Sequence, residues 1–510
     1  MPAHIFSATV HGIDARIITV ETDITHGLHC FTIVGLPDKS VDESKDRINA
    51  ALKNSGFAYP KKTNQKIVVN LAPADIKKEG AAYDLPIALS YLCASDQLQC
   101  NASGTLAVGE LALDGTVRPI RGALTIVAHA KQKGFSTVIL PAHNAPEAAL
   151  ISGITLVPVA TIAECIAYLT EGTIPKIAHV RPPAPVHEHD DAYDFSHIKG
   201  QEHAKRALAI AAAGGHNVLL SGPPGSGKTM LAKALVSILP DMTEEEAIET
   251  TKVYSVAGAL GEENAVIMRR PFRSPHHSAS DVALIGGGKH AQLGEITLAH
   301  NGILFLDEFP EFQRNVIEAL RQPLEEKTIT ISRAHGTFTY PARIILIATK
   351  NPCPCGYYRS AQRECTCSMH SVIAYQKKIS GPIADRIDIH VDVPPVTHKE
   401  LSGKTGESES ARVRENVAAA RHIQMERFSH DTISLNADMS PRHITAYCPL
   451  DPASLAVLKA AMDKLRFSAR VYHKIIKLAR TIADLEGSSA ILSHHIAEAL
   501  QYQQRDQDRI

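Results

Sequence analysis

The chain has almost no net charge: 53 Lys and Arg face 54 Asp and Glu across 510 residues, leaving −1. A nucleic-acid partner would therefore have to be met by local basic features, because no global positive field exists to attract it. No uncharged apolar run approaches the ~18 residues that a membrane span needs. The opening MPAHIFSATVHGIDARII lacks the basic stretch followed by an apolar one that marks a signal peptide. Low-complexity tracts are absent, and 44% hydrophobic with 21% charged residues is ordinary globular composition. Of nine cysteines, Cys30, Cys93, Cys100, Cys165 and Cys448 are scattered and odd in number, unlike a disulfide framework. A cytoplasmic protein without a membrane partner is expected. Its length exceeds what one core supports, which predicts two or three domains.

The first segment, residues 1–172, alternates strand-like runs (KIVVNLAP, TLAVGELAL, STVILPAHN, ITLVPVA) with helix-like ones (DESKDRINAALKNSG, DLPIALSYLCA, GALTIVAHAKQKG, TIAECIAYLTEG), predicting a compact α/β domain. Proline-spotted, aperiodic residues 173–195 read as a linker. A second α/β pattern runs over 196–394. Residues 395–430, with SGKTGESESARV, read as a connector, and 431–510 as helical. In the last segment Val471, Ile475, Leu478, Ile482 and Leu485 step by four and three, one stripe of a helix.

NVLLSGPPGSGKTMLAKALVSIL is a strand, a glycine-rich turn and an amphipathic helix. It matches G-x-x-x-x-G-K-[ST] over Gly222, Pro223, Pro224, Gly225, Ser226, Gly227, Lys228 and Thr229. Glycines let successive N–H groups face phosphate oxygens, and the helix N-terminus adds partial positive charge. Lys228 is expected on the β- and γ-phosphates and Thr229 on Mg²⁺. GILFLDEF reads as a buried strand delivering Asp307 and Glu308 to its C-terminal tip, where α/β sites form. Asp307 would hold Mg²⁺ through water, and Glu308 would polarise the attacking water. The two motifs together predict an ATPase that uses ATP and Mg²⁺.

DFSHIKGQEHAKRALAIAAAGGHNVLLSGPPGSGKT and GEITLAHNGILFLDEF resemble the AAA+ superfamily and, more narrowly, its magnesium-chelatase-like ComM/YifB family, over essentially the whole chain. The resemblance implies a parallel-sheet core with a helical lid. It also implies that Asn351 in IATKN is the first sensor of the γ-phosphate and that Arg386 in PIADRIDIHVDVP is an arginine finger reaching the neighbouring subunit's site. Arg470 in FSARVY is similar to the second sensor. A finger acting in trans implies a closed ring, and such relatives are mostly hexamers.

TITIS and TFTYPA flank a RAHG turn, predicting a β-hairpin over about 327–342 with Arg333 and His335 at its tip. In the similar minichromosome-maintenance helicases a hairpin at this place enters the central channel and touches DNA. One arginine per subunit would become a basic ring. The basic stretch IMRRPFRSPHHSASD (267–281) is assigned either to the channel or to the subunit interface. The first segment resembles the proteolytic domain of Lon and the C-terminal domain of RadA, but Ala81, Ala82 and Tyr83 stand where Lon has its serine turn. Where Lon's lysine should follow its Gly-Leu pair the chain reads GALTIVAHA, with no lysine in that stretch until Lys131. Without a nucleophile and base, the resemblance implies a scaffold or DNA platform, not a peptidase.

Cys353, Cys355, Cys365 and Cys367 form C-x-C, a nine-residue loop and C-x-C. In a reducing compartment this favours a tetrahedral Zn²⁺ site over disulfides. Zinc would staple the loop leaving the sensor strand, holding Asn351 while displaying Tyr357, Tyr358 and Arg359. The leading expectation is a ring helicase driving branch migration in recombination and natural transformation. A magnesium-chelatase-type motor and a protein remodeller are the alternatives.

Overall fold

The computed structural model describes residues 3–62, 64–99, 104–172, 193–261, 265–288, 292–333, 336–360, 363–396, 408–465 and 467–503. They form two compact units, Met1–Val186 with Thr243–Met268, and His187–Met242 with Arg269–Ile510.

The first unit begins with a hairpin that the sequence reading passes over. Ala3–His11 runs antiparallel to Asp14–His26, turning at Gly12 with φ +70°, a conformation that favours glycine. Asp14–His26 pairs with Gln65–Ala72, which takes Cys30–Val34 in parallel on its far side. Ala3–His11 is followed on its other side by Thr105–Ala107, Thr137–Pro141 and Thr155–Val159, all parallel, completing seven strands. Val138 and Leu140 alternate with Ile139 and so fall into two separate cores, one on each face. Helices Ser44–Asn54 and Asp84–Ala94 cover one face, and Ala123–Gln132 covers the other.

At the serine-turn position Tyr83 is buried. The adjoining Asp84 is locked by Ser44 and by Arg47, Nε to Oδ2 2.6 Å. Cys93 is disulfide-bonded, a pairing that the scattered cysteine spacing does not predict.

Residues 243–268, expected within the 196–394 segment, belong to the first unit. Helix Glu244–Ala257 opens with a Thr243–Glu246 capping box, and the Gly122 N–H donates to the Ser255 carbonyl at 3.1 Å. Local periodicity carries no information about such distant partners.

The second unit holds a five-stranded parallel sheet in the order Phe272–Arg273, Gly302–Leu306, Ile344–Lys350, Val218–Ser221, Ile389–Asp392. Its central strands are apolar up to their C-terminal ends, where Ser221, Thr349 and Lys350 stand, as burial on both faces requires. Thr328–Arg333 pairs antiparallel with Gly336–Pro341, forming a separate hairpin. Much of the expected connector 395–430 is instead a 19-residue helix, Glu409–Arg427. Its buried side is made of Ser410, Val417, Ala420 and Gln424, too polar a stripe to register as one. Residues 397–407 of that connector and 173–192 of the linker lie outside the described residues.

In helix Ala469–Leu485 of the last segment, Val471, Ile475, Leu478 and Ile482 are buried and Leu485 half-buried. No helix among the described residues is long and apolar enough to cross a membrane.

The C-terminal helices carry one buried charge network. Asp484 accepts from Arg427 (2.5 Å), Arg480 (3.0 Å) and Asn436 (2.8 Å) and is fully buried. Asp484→Ala would leave two arginines without their anion. It should cost about 3–5 kcal/mol of unfolding free energy, read from urea denaturation. A loss under about 1 kcal/mol would show that the network is not needed for folding.

Candidate functional site

The turn 222–227 leaves the C-terminal end of strand Val218–Ser221 and enters helix Lys228–Ile238. Gly225 and Gly227 hold φ of +77° and +88°, and a Cβ on either would meet nothing within 4 Å. Open space therefore surrounds the turn at these two glycines. Lys228 Nζ donates to the carbonyls of Gly222 (2.8 Å) and Pro223 (2.9 Å) and to Asn351 Oδ1 (3.2 Å). Burial pulls its pKa below the usual lysine range, against the raising influence of Asp307 and Glu308. Ser226 Oγ is buried without a partner. An orphaned hydroxyl and an ammonium resting on carbonyl oxygens fit a phosphate, which would satisfy both.

Asp307 and Glu308 follow strand Gly302–Leu306 at the same end of the sheet. Thr229 Oγ1 lies 3.3 Å from Asp307 Oδ2, and Thr349 donates to Asp307 Oδ1 at 2.5 Å. Hydroxyl plus carboxylate is the oxygen set that Mg²⁺ takes. Glu308 sits at φ +51°, a strained backbone for a non-glycine residue. Its N–H is held by Thr349 Oγ1 at 3.0 Å, and His277 Nδ1 lies 3.6 Å from its carboxylate. The geometry thus gathers Lys228, Thr229, Asp307, Glu308 and Asn351 around one space.

Arg386 and Arg470 are not among them. Arg386 precedes strand Ile389–Asp392, which runs parallel to Val218–Ser221 with Ile389 opposite Val218. Asn217 Nδ2 donates to the Arg386 carbonyl at 3.2 Å. Arg386 therefore lies at the N-terminal end of the strand whose C-terminal end carries the glycine turn. At about 3.3 Å per residue, four strand residues set them ~13 Å apart. Arg386 Nη2 meets Glu325 Oε2 at 2.7 Å, and Arg470 Nη2 meets Glu325 Oε1. The Arg386 guanidinium, seconded by Arg470, holds the Glu325 carboxyl below the usual range. These three line a cavity of about 670 Å³ with Arg343, Lys474 and Lys477.

The cysteine loop follows Asn351 directly. The Sγ atoms of Cys353, Cys355 and Cys365 are 3.4–3.7 Å apart, and all four sulfurs, Cys367 included, lie within 4.8 Å of one another. Zn–S bonds of about 2.3 Å require tetrahedral edges of ~3.8 Å, so the set fits. N–H groups of Tyr357 and Thr366 push the Cys355 thiol down to about 5. A Cβ on Gly356 (φ +85°) would stand 2.5 Å from Pro224 Cδ, so the loop is packed against the glycine turn. Tyr357 and Tyr358 are half-buried, each with an arginine of its own loop, Arg363 or Arg359, over the ring at 5.1 and 5.2 Å.

Another metal-like group, Glu486 with His494 and His495, fits less well. His495 Nδ1 accepts the Leu492 N–H, which leaves Nε2 protonated and donating to Glu486.

His335 lies outside the described residues, as does the side chain of Arg333. In the basic stretch 267–281, Arg270 donates to the carbonyls of Pro240 and Asn301, and Arg273 pairs with Glu295 at 2.5 Å. Those two arginines serve internal contacts. Glu325, Thr349, His277 and Gly356 were not legible as site residues, since each acquires its role from a distant strand or loop.

Three family descriptions match the chain. They are magnesium chelatase, subunit ChlI, over residues 194–401; subunit ChlI of Mg-chelatase over 20–144; and the ChlI C-terminal region over 407–503. Competence protein ComM of Haemophilus influenzae is 44% identical over 506 residues, 98% of this chain and 97% of that one. Protein YifB of Escherichia coli is 42% identical over 499 residues, 97% and 96% of the two chains. DNA replication licensing factor mcm6 of Dictyostelium discoideum is 23% identical over 314 residues, 59% and 32%.

Lys228→Ala should abolish binding of a fluorescent ATP analogue, whereas Glu308→Gln should bind it and lose hydrolysis by about 10²-fold or more. Normal turnover in Glu308→Gln would remove Glu308 from the role of base.

Proposed function

The chain belongs to the ComM/YifB family of magnesium-chelatase-like AAA+ proteins, and from that membership we propose that it is an ATP-driven ring motor on DNA. Its task is helicase-type branch migration of donor strands during recombination and natural transformation. The observation that carries this reading is the opposite placement of the phosphate cradle and the arginine pair. A chain whose Arg386 precedes its strand ~13 Å from its own cradle, with Arg470 beside it on Glu325, gains their charge only from a neighbour, and a head-to-tail interface that closes makes a ring. A hexamer is the size we propose. The name of ComM and the match to a DNA replication licensing factor support DNA as the partner. The hairpin Thr328–Pro341 is its candidate contact through Arg333 and His335.

In this reading the Gly222–Gly227 turn and Lys228 bind the phosphates of ATP. Thr229 and Asp307 hold Mg²⁺, which neutralises phosphate charge when bound. Glu308 orients and deprotonates water, Asn351 senses the γ-phosphate, and the neighbour's arginine pair steadies the developing charge. Bound Zn²⁺ would fix the Cys353–Cys367 loop, and with it the packing of Gly356 on Pro224 and the position of Asn351. The three chelatase-named family matches favour one second reading, a chelatase-type motor indifferent to DNA.

ATP hydrolysis measured with and without single-stranded, duplex and forked DNA decides between the two. Stimulation by DNA is expected, and its absence with every form would reject the DNA motor. Arg386→Ala should bind ATP yet hydrolyse it at least ~10²-fold more slowly. Mixed with Lys228→Ala it should regain turnover at composite interfaces, and a mixture as inactive as its parts would count against action in trans. Metal analysis of protein purified without chelators should find about one zinc per chain, lost in the Cys353→Ser/Cys355→Ser double variant. Zinc-free wild-type protein would reject the site.

A further inference from the structure

Glu325 joins two parts of the second unit that sequence separates widely. It lies in the short helix Arg321–Glu326, which runs into the hairpin strand Thr328–Arg333 through Lys327 alone. Helix and hairpin are clipped together. Gln322 Nε2 donates to Thr330 Oγ1 at 3.0 Å, and Gln322 Oε1 accepts the Thr330 N–H at 3.2 Å. Lys327, in the left-handed region at φ +57°, donates its N–H to Pro323 and accepts from Ala342 N–H at the hairpin's far foot. A hairpin held this way cannot tilt without carrying the helix along.

The other end of the connection is the arginine pair. Both carboxylate oxygens of Glu325 are taken, one by Arg386 and one by Arg470. Arg386 has further groups that Glu325 does not satisfy: Nη1 rests on the Pro382 carbonyl at 2.5 Å, and Nε is buried with no partner. A carboxylate offers two oxygens; a terminal phosphate offers three and more charge. The pair is thus held by a weaker anion than the one it is suited to meet, beside an open cavity.

We propose that Glu325 restrains the arginine pair and couples it to the hairpin, acting as a positioning residue for hydrolysis at the neighbouring subunit's site. It rests on the ring-motor reading for that neighbour and for DNA at the hairpin. With the hairpin free, Glu325 neutralises Arg386 and Arg470. Polyanion gripped by the hairpin tilts the helix, withdraws the carboxylate and releases both guanidinium groups to the neighbour's γ-phosphate. The energy for the shift comes from DNA binding more tightly to the tilted hairpin, as any ligand-driven change requires. Stimulation by DNA then arises one subunit away from the contact.

The test compares ATP hydrolysis by wild type, Glu325→Gln and Gln322→Ala, each without DNA and with forked DNA, at matched protein concentration. Glu325→Gln keeps the shape and removes the charge. Its DNA-free rate should rise roughly threefold to tenfold, the range for releasing a partly exposed, charge-assisted pair, and the ratio of rates with and without DNA should fall toward unity. Gln322→Ala keeps the carboxylate but cuts the clip, so that ratio should fall without the DNA-free rise. An unchanged or lower DNA-free rate in folded Glu325→Gln overturns the restraint, and a wild-type stimulation ratio in Gln322→Ala overturns the coupling. If neither forked, single-stranded nor duplex DNA stimulates wild type, the ring-motor reading and the coupling fail together. The DNA-free rate of Glu325→Gln still decides the restraint by itself.

Discussion

Asn217 bonds through its backbone and both ends of its amide to the two neighbouring strands and to the residues leading into one of them. Its N–H donates to Asp388, its carbonyl accepts from Asp388 and Ile389, its Oδ1 takes the Leu346 N–H, and its Nδ2 donates to the Arg386 carbonyl. One side chain thereby sets the register of Val218–Ser221 against both of its neighbours. A parallel strand has two chemically different ends, and Asn217 marks one while the glycine turn occupies the other. The phosphate cradle and the arginine pair consequently inherit opposite ends of the sheet. Helix Ala469–Leu485 is drawn to the Asn217 end as well: Thr481 meets the buried His216 at 2.9 Å, and Lys474 donates to the Ile387 carbonyl.

The cysteine loop answers to the other end. It leaves strand Ile344–Lys350 at Asn351, which already contacts Lys228, and returns to press Gly356 on Pro224. So short a loop cannot build an apolar core of its own. Four sulfurs within 4.8 Å of one another gather at its centre instead, and the absence of a side chain at Gly356 is what lets the loop close on the turn. Shape at the glycine turn therefore depends on a segment that meets Lys228 only through Asn351.

The hairpin carries a different dependence. Its strands bury Ile329, Ile331 and Tyr340 while Thr330, Ser332, Thr337 and Thr339 face outward, the alternation of a half-covered ribbon. Its foot is fixed by Lys327, Ala342 and Gln322. Those ties join the hairpin to the helix Arg321–Glu326 that carries Glu325, a connection that no single strand could decide.

Much of the protein was legible from its residues. The glycine turn with Lys228, the apolar strand ending in Asp307 and Glu308, the alternating hairpin and the paired C-x-C spacings are local patterns. Local patterns follow from backbone geometry, glycine freedom and ligand spacing within a few residues. The stripe of helix Ala469–Leu485 was readable for the same reason, whereas helix Glu409–Arg427 escaped because its buried side is polar. What the tertiary structure alone decided is which residues meet. It sent residues 243–268 to the first unit, brought Arg386 and Arg470 to a common carboxylate, turned two arginines of the basic stretch inward and set Gly356 on Pro224. Those outcomes depend on strand order and on contacts between residues far apart in the chain, and periodicity contains neither.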